Sequence, residues 1–374
     1  MQTRSKLAEL GFGFMRLPLL DANDNTSFDY KELYAMVDTF IGAGFSYFDT
    51  ARSYHSTRSE EALRKSVIER YPRESYEIAT KVPIWLAERP SDGAAMLETS
   101  LETLGLSYID YFLLHNLGED RTKLYEDFGF WDMMSDKKRK GKLRNIGFSF
   151  HDKASALDEL LAKHPEVDFV QLQINYADWE SDDIESRKCY ELAQSYDLDV
   201  VVMEPVKGGS LVRLPEQAKK VLRASDRNAP LASWALRFAG SLPGVTRVLS
   251  GMSNLKQVEE NVRIMKESVP LTFTEYKAID HVRQILNNMG TIPCTACNYC
   301  LDSCPQNIRI PTIMTSLNIV SIYNDKYRAQ ENYNWNALEG NPASACIACK
   351  TCENVCPQHI DIIKNLERAS KLFD

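Results

Sequence analysis

Between residues 10 and about 265 the chain alternates eight short apolar runs with amphipathic stretches, and no other feature restricts its fold as much. The runs predict strands at Leu10–Met15, Phe45–Asp49, Tyr76–Lys81, Ile109–Leu114, Leu143–Phe148, Phe169–Gln173, Val200–Met203 and Thr246–Ser250. The stretches between them have helical spacing. Leu33, Met36, Val37, Phe40 and Ile41 share one face closed by Gly42 and Gly44, and Met96, Leu97, Leu101 and Leu104 share another that ends at Gly105. The glycines of "LGFGFMRLP" (10–18) lack the Gly-x-Gly-x-x-Gly spacing and the following helix start of an open dinucleotide-binding sheet. Eight β–α alternations without that turn predict a closed (β/α)8 TIM barrel. The chain has 374 residues, enough for a barrel of about 250 residues and a smaller second domain. The expected division is 1–270 for the barrel and 271–374 for a mainly helical remainder, with "LTFTEYKAIDHVRQILNN" (271–288) a helix capped by Thr272 or Thr274.

Hydrophobic residues at 44% and charged residues at 26% are ordinary globular values, which sets aside disordered and fibrous classes. A net charge of −8 argues against a nucleic-acid partner. No secretory h-region opens the chain, and no run of about 18 apolar residues follows, so the expectation is a cytoplasmic protein without a membrane partner.

Of nine cysteines, eight fall in two C-terminal motifs, and Cys189 stands apart. Cys294, Cys297, Cys300 and Cys304-Pro305 have the spacing C-x2-C-x2-C-x3-C-P, which Cys346, Cys349, Cys352 and Cys356-Pro357 repeat. Three thiolates at this spacing wrap one 4Fe-4S cluster while the fourth, turned away by its proline, ligates the other. The expected sets are Cys294, Cys297, Cys300 and Cys356 on one cluster, and Cys346, Cys349, Cys352 and Cys304 on the second. Structural zinc prefers cysteine pairs a dozen or more residues apart. The insert between the motifs has a helical pattern, with Pro311 suited to a first helical turn, so this region resembles an α-helical ferredoxin more than the small β-rich kind.

Polar residues at strand ends meet at the mouth of such a barrel. Asp49 ends the second predicted strand in "FDTARSY", Tyr54 follows on the loop, Lys81 ends the third in "IATK", and His115 ends the fourth in "DYFLLH". Singly, each has a plain structural explanation: a solvated lysine, a packing tyrosine, a satisfied core histidine. As a set they suit carbonyl reduction. Delivering a hydride to carbon requires a proton at oxygen, and Tyr54 would donate it. The Lys81 ammonium would stabilise the phenolate and lower the phenol pKa, Asp49 would hold Lys81, and neutral His115 would orient the carbonyl.

These residues resemble the tetrad of the aldo-keto reductases, a likeness that runs from residue 8 to about 265. It implies an NADP or NAD cofactor and further site residues. In "IGFSFH" (146–151) Ser149 would bind the nicotinamide carboxamide, with Phe150 where the family has Asn; in "VQLQINY" (170–176) Gln171 would bind the same group. In "VMEPVKGGSL" (202–211) Met203 would face the ring while Val206 and Gly208 offer backbone to the cofactor. Met15, Arg16 and Asp49 would also touch it. In "LSGMSNLKQVEEN" (249–261) Ser253 or Asn254 would cap a helix facing a phosphate, and Glu260 and Asn261 would read the adenine. The family's usual basic residues for the 2′-phosphate fall on Gly251 and Gln257, with Lys256 one position away, and the family's own preference leans the choice to NADP.

Three functions fit this sequence. The leading one is an NAD(P)-dependent oxidoreductase reducing a small aldehyde or ketone in a mouth lined by Tyr54, His115, Trp85 and Tyr176. The second is an electron-transfer enzyme. Hydride moves two electrons and each cluster takes one, and with no flavin motif in the chain a ferredoxin or flavoprotein partner would have to couple them. The third is a redox-sensing binding module, resembling the potassium-channel β-subunits of the same family.

Overall fold

A computed structural model of the chain describes residues 6–21, 24–182, 184–289, 291–294, 298–337, 340–356 and 358–374. Eight parallel strands, β1 (Glu9–Gly13), β2 (Tyr47–Asp49), β3 (Glu77–Pro83), β4 (Ile109–Leu117), β5 (Leu143–Phe150), β6 (Phe169–Gln173), β7 (Asp199–Met203) and β8 (Val245–Gly251), pair in chain order and close into a barrel, β1 against β8. The predicted apolar faces are the buried ones. The helix Tyr30–Gly42 buries Leu33, Met36, Val37 and Phe40, and the helix Asp92–Leu104 ends on Gly105 at φ +71°. No described helix is long and apolar enough to cross a membrane.

Strand ends differ from expectation in ways that matter for the site. β2 begins at Tyr47 because the Phe45 N–H turns back to Phe40 O at 3.3 Å and belongs to the helix exit. β1 stops at Gly13, which puts Met15 in the turn beyond it. β3, β4 and β5 each run two or more residues further than predicted, to Pro83, Leu117 and Phe150. Lys81 and His115 therefore lie within their strands, in ladder register with Leu113 and Pro83, where the sheet holds their backbones.

By its contacts the chain divides into two units, 1–205 with 232–271 and 206–231 with 272–374. The segment 206–231, which a single cut at 270 assigns to the barrel, goes with the second unit. There its helix Glu216–Ser225 packs on Phe273–Asn287, the latter opened by a capping box between Thr272 and Glu275. The Arg213 guanidinium pairs with the buried Asp325 carboxylate at 2.6 Å. The rest of this unit repeats itself. The short helices Tyr299–Asp302 and Thr351–Asn354 follow Asn298 and Lys350, both at φ 64°, ψ 0°. Asn307 at φ 48° and His359 at φ 49° then lead into Ile310–Tyr323, with Pro311 in its first turn, and Ile362–Phe373. The repeat in the cysteine motifs thus extends through the helix that follows each.

Candidate active site and cluster motifs

Strand periodicity builds the barrel site. Successive inward-facing residues are two apart. Tyr47, Ala79, Leu113, Phe169, Val201 and Leu249 form a buried apolar layer inside the barrel. Two residues on along the same strands come Asp49, Lys81, His115, Gln171, Met203 and Gly251, and Ser149 stands two beyond Gly147 on β5. Gly147 is needed in the apolar layer, since a Cβ there would lie 2.4 Å from Phe169 O and 2.8 Å from its ring. The apolar layer is a floor, and the polar residues stand on it.

On that floor Lys81 is 1% exposed and Asp49 3%. Lys81 Nζ donates to Asp49 Oδ1 at 2.5 Å and to Thr50 O at 2.9 Å. Burial works against the ammonium, but Asp49 and Tyr54 outweigh it and hold the Lys81 pKa above its ordinary value, so the lysine is charged. Lys81 Nζ stands 5.1 Å from the Tyr54 ring centroid. The Tyr54 and His115 rings meet edge to face at 5.5 Å, and Trp85, 46% exposed, lies 5.1 Å from His115 on its other side. All four expected catalytic side chains form one contiguous group. Tyr176 does not line an open mouth; it is fully buried, with its ring 6.2 Å from Phe238.

Electrostatics corrects one expectation. The Tyr54 pKa is raised, because burial outweighs the opposing pull of Lys81. His115 is pushed well below its usual value by burial, by the Lys81 charge and by His151, so its imidazole is neutral at neutral pH.

Several supporting groups carry no sequence motif. The Tyr125 hydroxyl, fully buried, accepts from the backbone N–H groups of Ile84 and His115, at 3.0 Å each, and lies 2.8 Å from the Val82 and His115 carbonyls. It pins the ends of β3 and β4 together and fixes the backbone that carries His115. The buried Glu60 accepts from Thr80 Oγ1 at 2.7 Å and pairs with Arg52 at 3.2 Å, and the Ser59 hydroxyl reaches Thr50 Oγ at 2.8 Å and Phe14 O at 3.0 Å. These bonds clamp both ends of the Tyr54 loop. They hold it although His55, Ser56 and Thr57 take φ values of 49°, 51° and 71°, a left-handed run that disfavours side chains.

Among the described residues, two buried acceptors at the site have no hydrogen-bond partner, Gln171 Oε1 and Asp49 Oδ2. Gln171 Nε2 donates to Met203 Sδ at 3.6 Å, which turns Oε1 the other way. A buried amide oxygen left open is suited to an amide N–H donor, as a nicotinamide carboxamide provides. The residues present therefore fit that group. Ser149, 1% exposed and paired in register with Gln171, accepts from the Asn116 N–H at 2.7 Å. Met15 is 52% exposed, and the Arg16 stem passes 3.4 Å from where a Cβ on Gly251 would sit. Ser253 and Gln257 are joined, Ser253 N to Gln257 Oε1 at 2.7 Å, and the cap of the helix Leu255–Glu267 is Asn254. Glu260 is half-buried on that helix, and the buried Asn261 donates to Ser250 Oγ at 2.9 Å, tying the helix to β8. Val206 and Gly208 belong to the second unit, Gly208 at φ +60° with the Arg328 guanidinium against it.

In the second unit Cys294, Cys300 and Cys356 line one cavity with Ile310, Pro311, Met314 and Ile360. Cys304 and Cys346 lie within electrostatic reach of Cys352. The exposed Cys349 accepts from Thr351 Oγ1 at 3.3 Å. Cys297 lies outside the described residues. Each group therefore draws cysteines from both motifs, the pattern expected when a fourth ligand crosses to the other cluster.

Comparison with known proteins agrees with both halves. The chain matches the 4Fe-4S dicluster domain family over residues 293–361. Among curated proteins it is 24% identical to Protein REDOX 2 of Catharanthus roseus, covering 70% of this chain and 83% of that protein. It is 26% identical to L-galactose dehydrogenase of Arabidopsis thaliana, covering 74% and 92%. Among solved structures, an aldo-keto reductase of Bacillus halodurans in its holo form superposes with a TM-score of 0.59 at 24% identity, over 75% of this chain and 96% of that one. One from Klebsiella pneumoniae, in complex with NADP and acetate, gives 0.60 at 20% identity, over 74% and 95%. The Aldo/keto reductase family matches residues 9–284, and with the barrel and its polar layer this establishes that the chain belongs to that family of oxidoreductases and carries a 4Fe-4S domain in its C-terminal sequence.

Proposed function

We propose that the barrel reduces the carbonyl group of a small aldehyde or ketone with NADPH or NADH. The observation that carries this reading is the charged Lys81 held by Asp49 beside Tyr54 and His115. The nicotinamide, when bound, supplies a hydride to the carbonyl carbon. Tyr54 gives its proton to the oxygen, so an alcohol forms and a phenolate remains. The raised pKa of Tyr54 keeps that proton in place at neutral pH until charge develops on the oxygen. Lys81 then stabilises the phenolate, and Asp49 keeps the ammonium aimed. Neutral His115 directs a ring N–H toward the oxygen without competing as an acid, and its Nδ1 is 3.4 Å from Ser53 Oγ. Gln171 and Ser149 orient the carboxamide.

Tyr54→Phe tests the assignment. Carbonyl reduction with either dinucleotide should fall by about 10²–10⁴-fold with the fold intact, and unchanged activity would remove Tyr54 from its role.

The same eight cysteines would hold two 4Fe-4S clusters, which supply one-electron capacity. Exchange with an external ferredoxin or flavoprotein is favoured by one observation, the exposed Cys349 with Ile347, 60% exposed, two residues before it. Anaerobic turnover with reduced ferredoxin in place of NAD(P)H tests this second reading, which fails if no product forms.

A further inference from the structure

The helix Leu255–Glu267 begins just beyond β8, and its approach, Gly251 to Gln257, is the stretch that the dinucleotide reading gives to the adenosine end of the cofactor. The two cofactors differ only there, by the 2′-phosphate of NADPH. A phosphate at a helix start is held by free backbone N–H groups and by cations. The structure has already committed three of those donors, the N–H groups of Ser253, Leu255 and Gln257. Ser253 N donates to Gln257 Oε1 at 2.7 Å, and Gln257 N donates to Asn254 Oδ1 at 3.0 Å. Leu255 N donates to Glu32 Oε1 at 2.7 Å, across from the helix Tyr30–Gly42.

The Glu32 bond is the informative one. Its carboxylate already accepts from the first helical N–H, a donor that a phosphate oxygen at this helix start would otherwise use, and among the described residues it has no ion-pair partner. Charge balance nearby does not offset it. Between Gly251 and Gln257 the sequence offers one cation, Lys256, which is exposed. Arg16 lays its aliphatic stem on Gly251. A dianionic phosphate brought to this helix start would have to displace Glu32 or sit beside it, whereas ribose hydroxyls can donate to a carboxylate, as they do to acidic side chains in other dinucleotide sites.

We infer that Glu32 sets the cofactor preference of this chain, favouring NADH over NADPH. This rests on the dinucleotide reading of the barrel. That the site holds a dinucleotide at all is carried independently by the buried, unpartnered Gln171 Oε1 at its other end.

The test measures binding, not turnover. The full chain, its clusters assembled anaerobically, is titrated calorimetrically with NADH and with NADPH at low and at physiological salt. NADH should bind about tenfold tighter or more, with the gap narrowing as salt rises. Glu32→Gln keeps an oxygen acceptor for Leu255 N but removes the charge, and should raise NADPH affinity about tenfold while NADH changes little. Ser253→Arg, at an exposed position, should raise NADPH affinity in an otherwise unaltered chain. NADPH binding as tightly as NADH to the unaltered protein overturns the inference. So does Glu32→Gln shifting both dinucleotides equally, which marks a purely structural cap, or Arg16→Gln abolishing a preference for NADPH, which makes Arg16 the reader. If neither dinucleotide binds the folded protein, the dinucleotide reading itself falls as well, a result distinct from an altered ratio between two ligands that both bind.

Discussion

The two units are stabilised in different ways. The barrel has a hydrocarbon interior, with a fully buried apolar layer of Tyr47, Ala79, Leu113, Phe169 and Val201 beneath the reactive side chains. The second unit gathers Ile308, Ile310, Ile313, Met314, Leu317, Ile360, Ile362 and Leu366 around Cys300 and Cys352, with Cys294, Cys304, Cys346 and Cys356 packed at the edge. Its core includes its expected ligands. In the barrel, chemistry is laid on a finished fold; in the second unit, ligation at these cysteines would make folding and cluster binding one event.

Removing iron should break this contrast open most sharply. Chelation, or Cys300→Ala, should lose the folded state of 272–374 and expose it to proteolysis, while the barrel segment stays resistant. Equal loss in both halves would show that their stabilities are not separable. Next in size is Lys81→Met. It strands the buried Asp49 carboxylate and should cost about 3–5 kcal/mol of barrel stability in urea unfolding, besides abolishing reduction. A loss of less than about 1 kcal/mol would mean that the aspartate takes a proton instead. Gly208→Ala tests the second unit on a smaller scale. At φ +60°, with Arg328 Nε 2.7 Å from the new Cβ, it should cost about 1–2 kcal/mol, read as a lower melting temperature of that unit alone.

The smallest expected effect is a pH dependence. His115 resists protonation in the folded barrel, while the unfolded chain takes a proton near the usual value of 6.5. Its contribution is therefore complete above that value and declines as pH falls below it, since the unfolded state then binds the extra proton. His115→Gln should flatten the fall in unfolding midpoint between about pH 7.5 and about pH 5.5, and an unchanged slope would assign the acid sensitivity elsewhere.

Much of the barrel was legible because a parallel strand covered on both faces must be apolar, and its neighbours must be helical to cover it. Asp49, Tyr54, Lys81 and His115 were readable for the opposite reason, as polar residues where apolar runs end. What could not be read is whatever depends on meeting across the fold. Tyr125 looks like any helical tyrosine until its hydroxyl is found between Ile84 and His115. Glu32 looks like a first-turn acid of its own helix and caps another one 223 positions away. The balance at Tyr54 was missed because it requires burial to be weighed against one nearby charge. The grouping of 206–231 with 272–374 likewise depends on contacts far apart in the chain, the helix Glu216–Ser225 against Phe273–Asn287, which no local pattern carries.

The placement of Cys304 beside Cys346 and Cys352 reaches beyond static structure, into how the molecule is made. If a thiolate crosses between motifs as expected, the set of Cys294, Cys297, Cys300 and Cys356 is complete only once the chain has been synthesised past Cys356, and the other set only past Cys352. Iron delivered earlier would meet three cysteines and an open corner. Maturation should then be close to all-or-none, with half-loaded molecules rare, and damage to either cluster should loosen its companion.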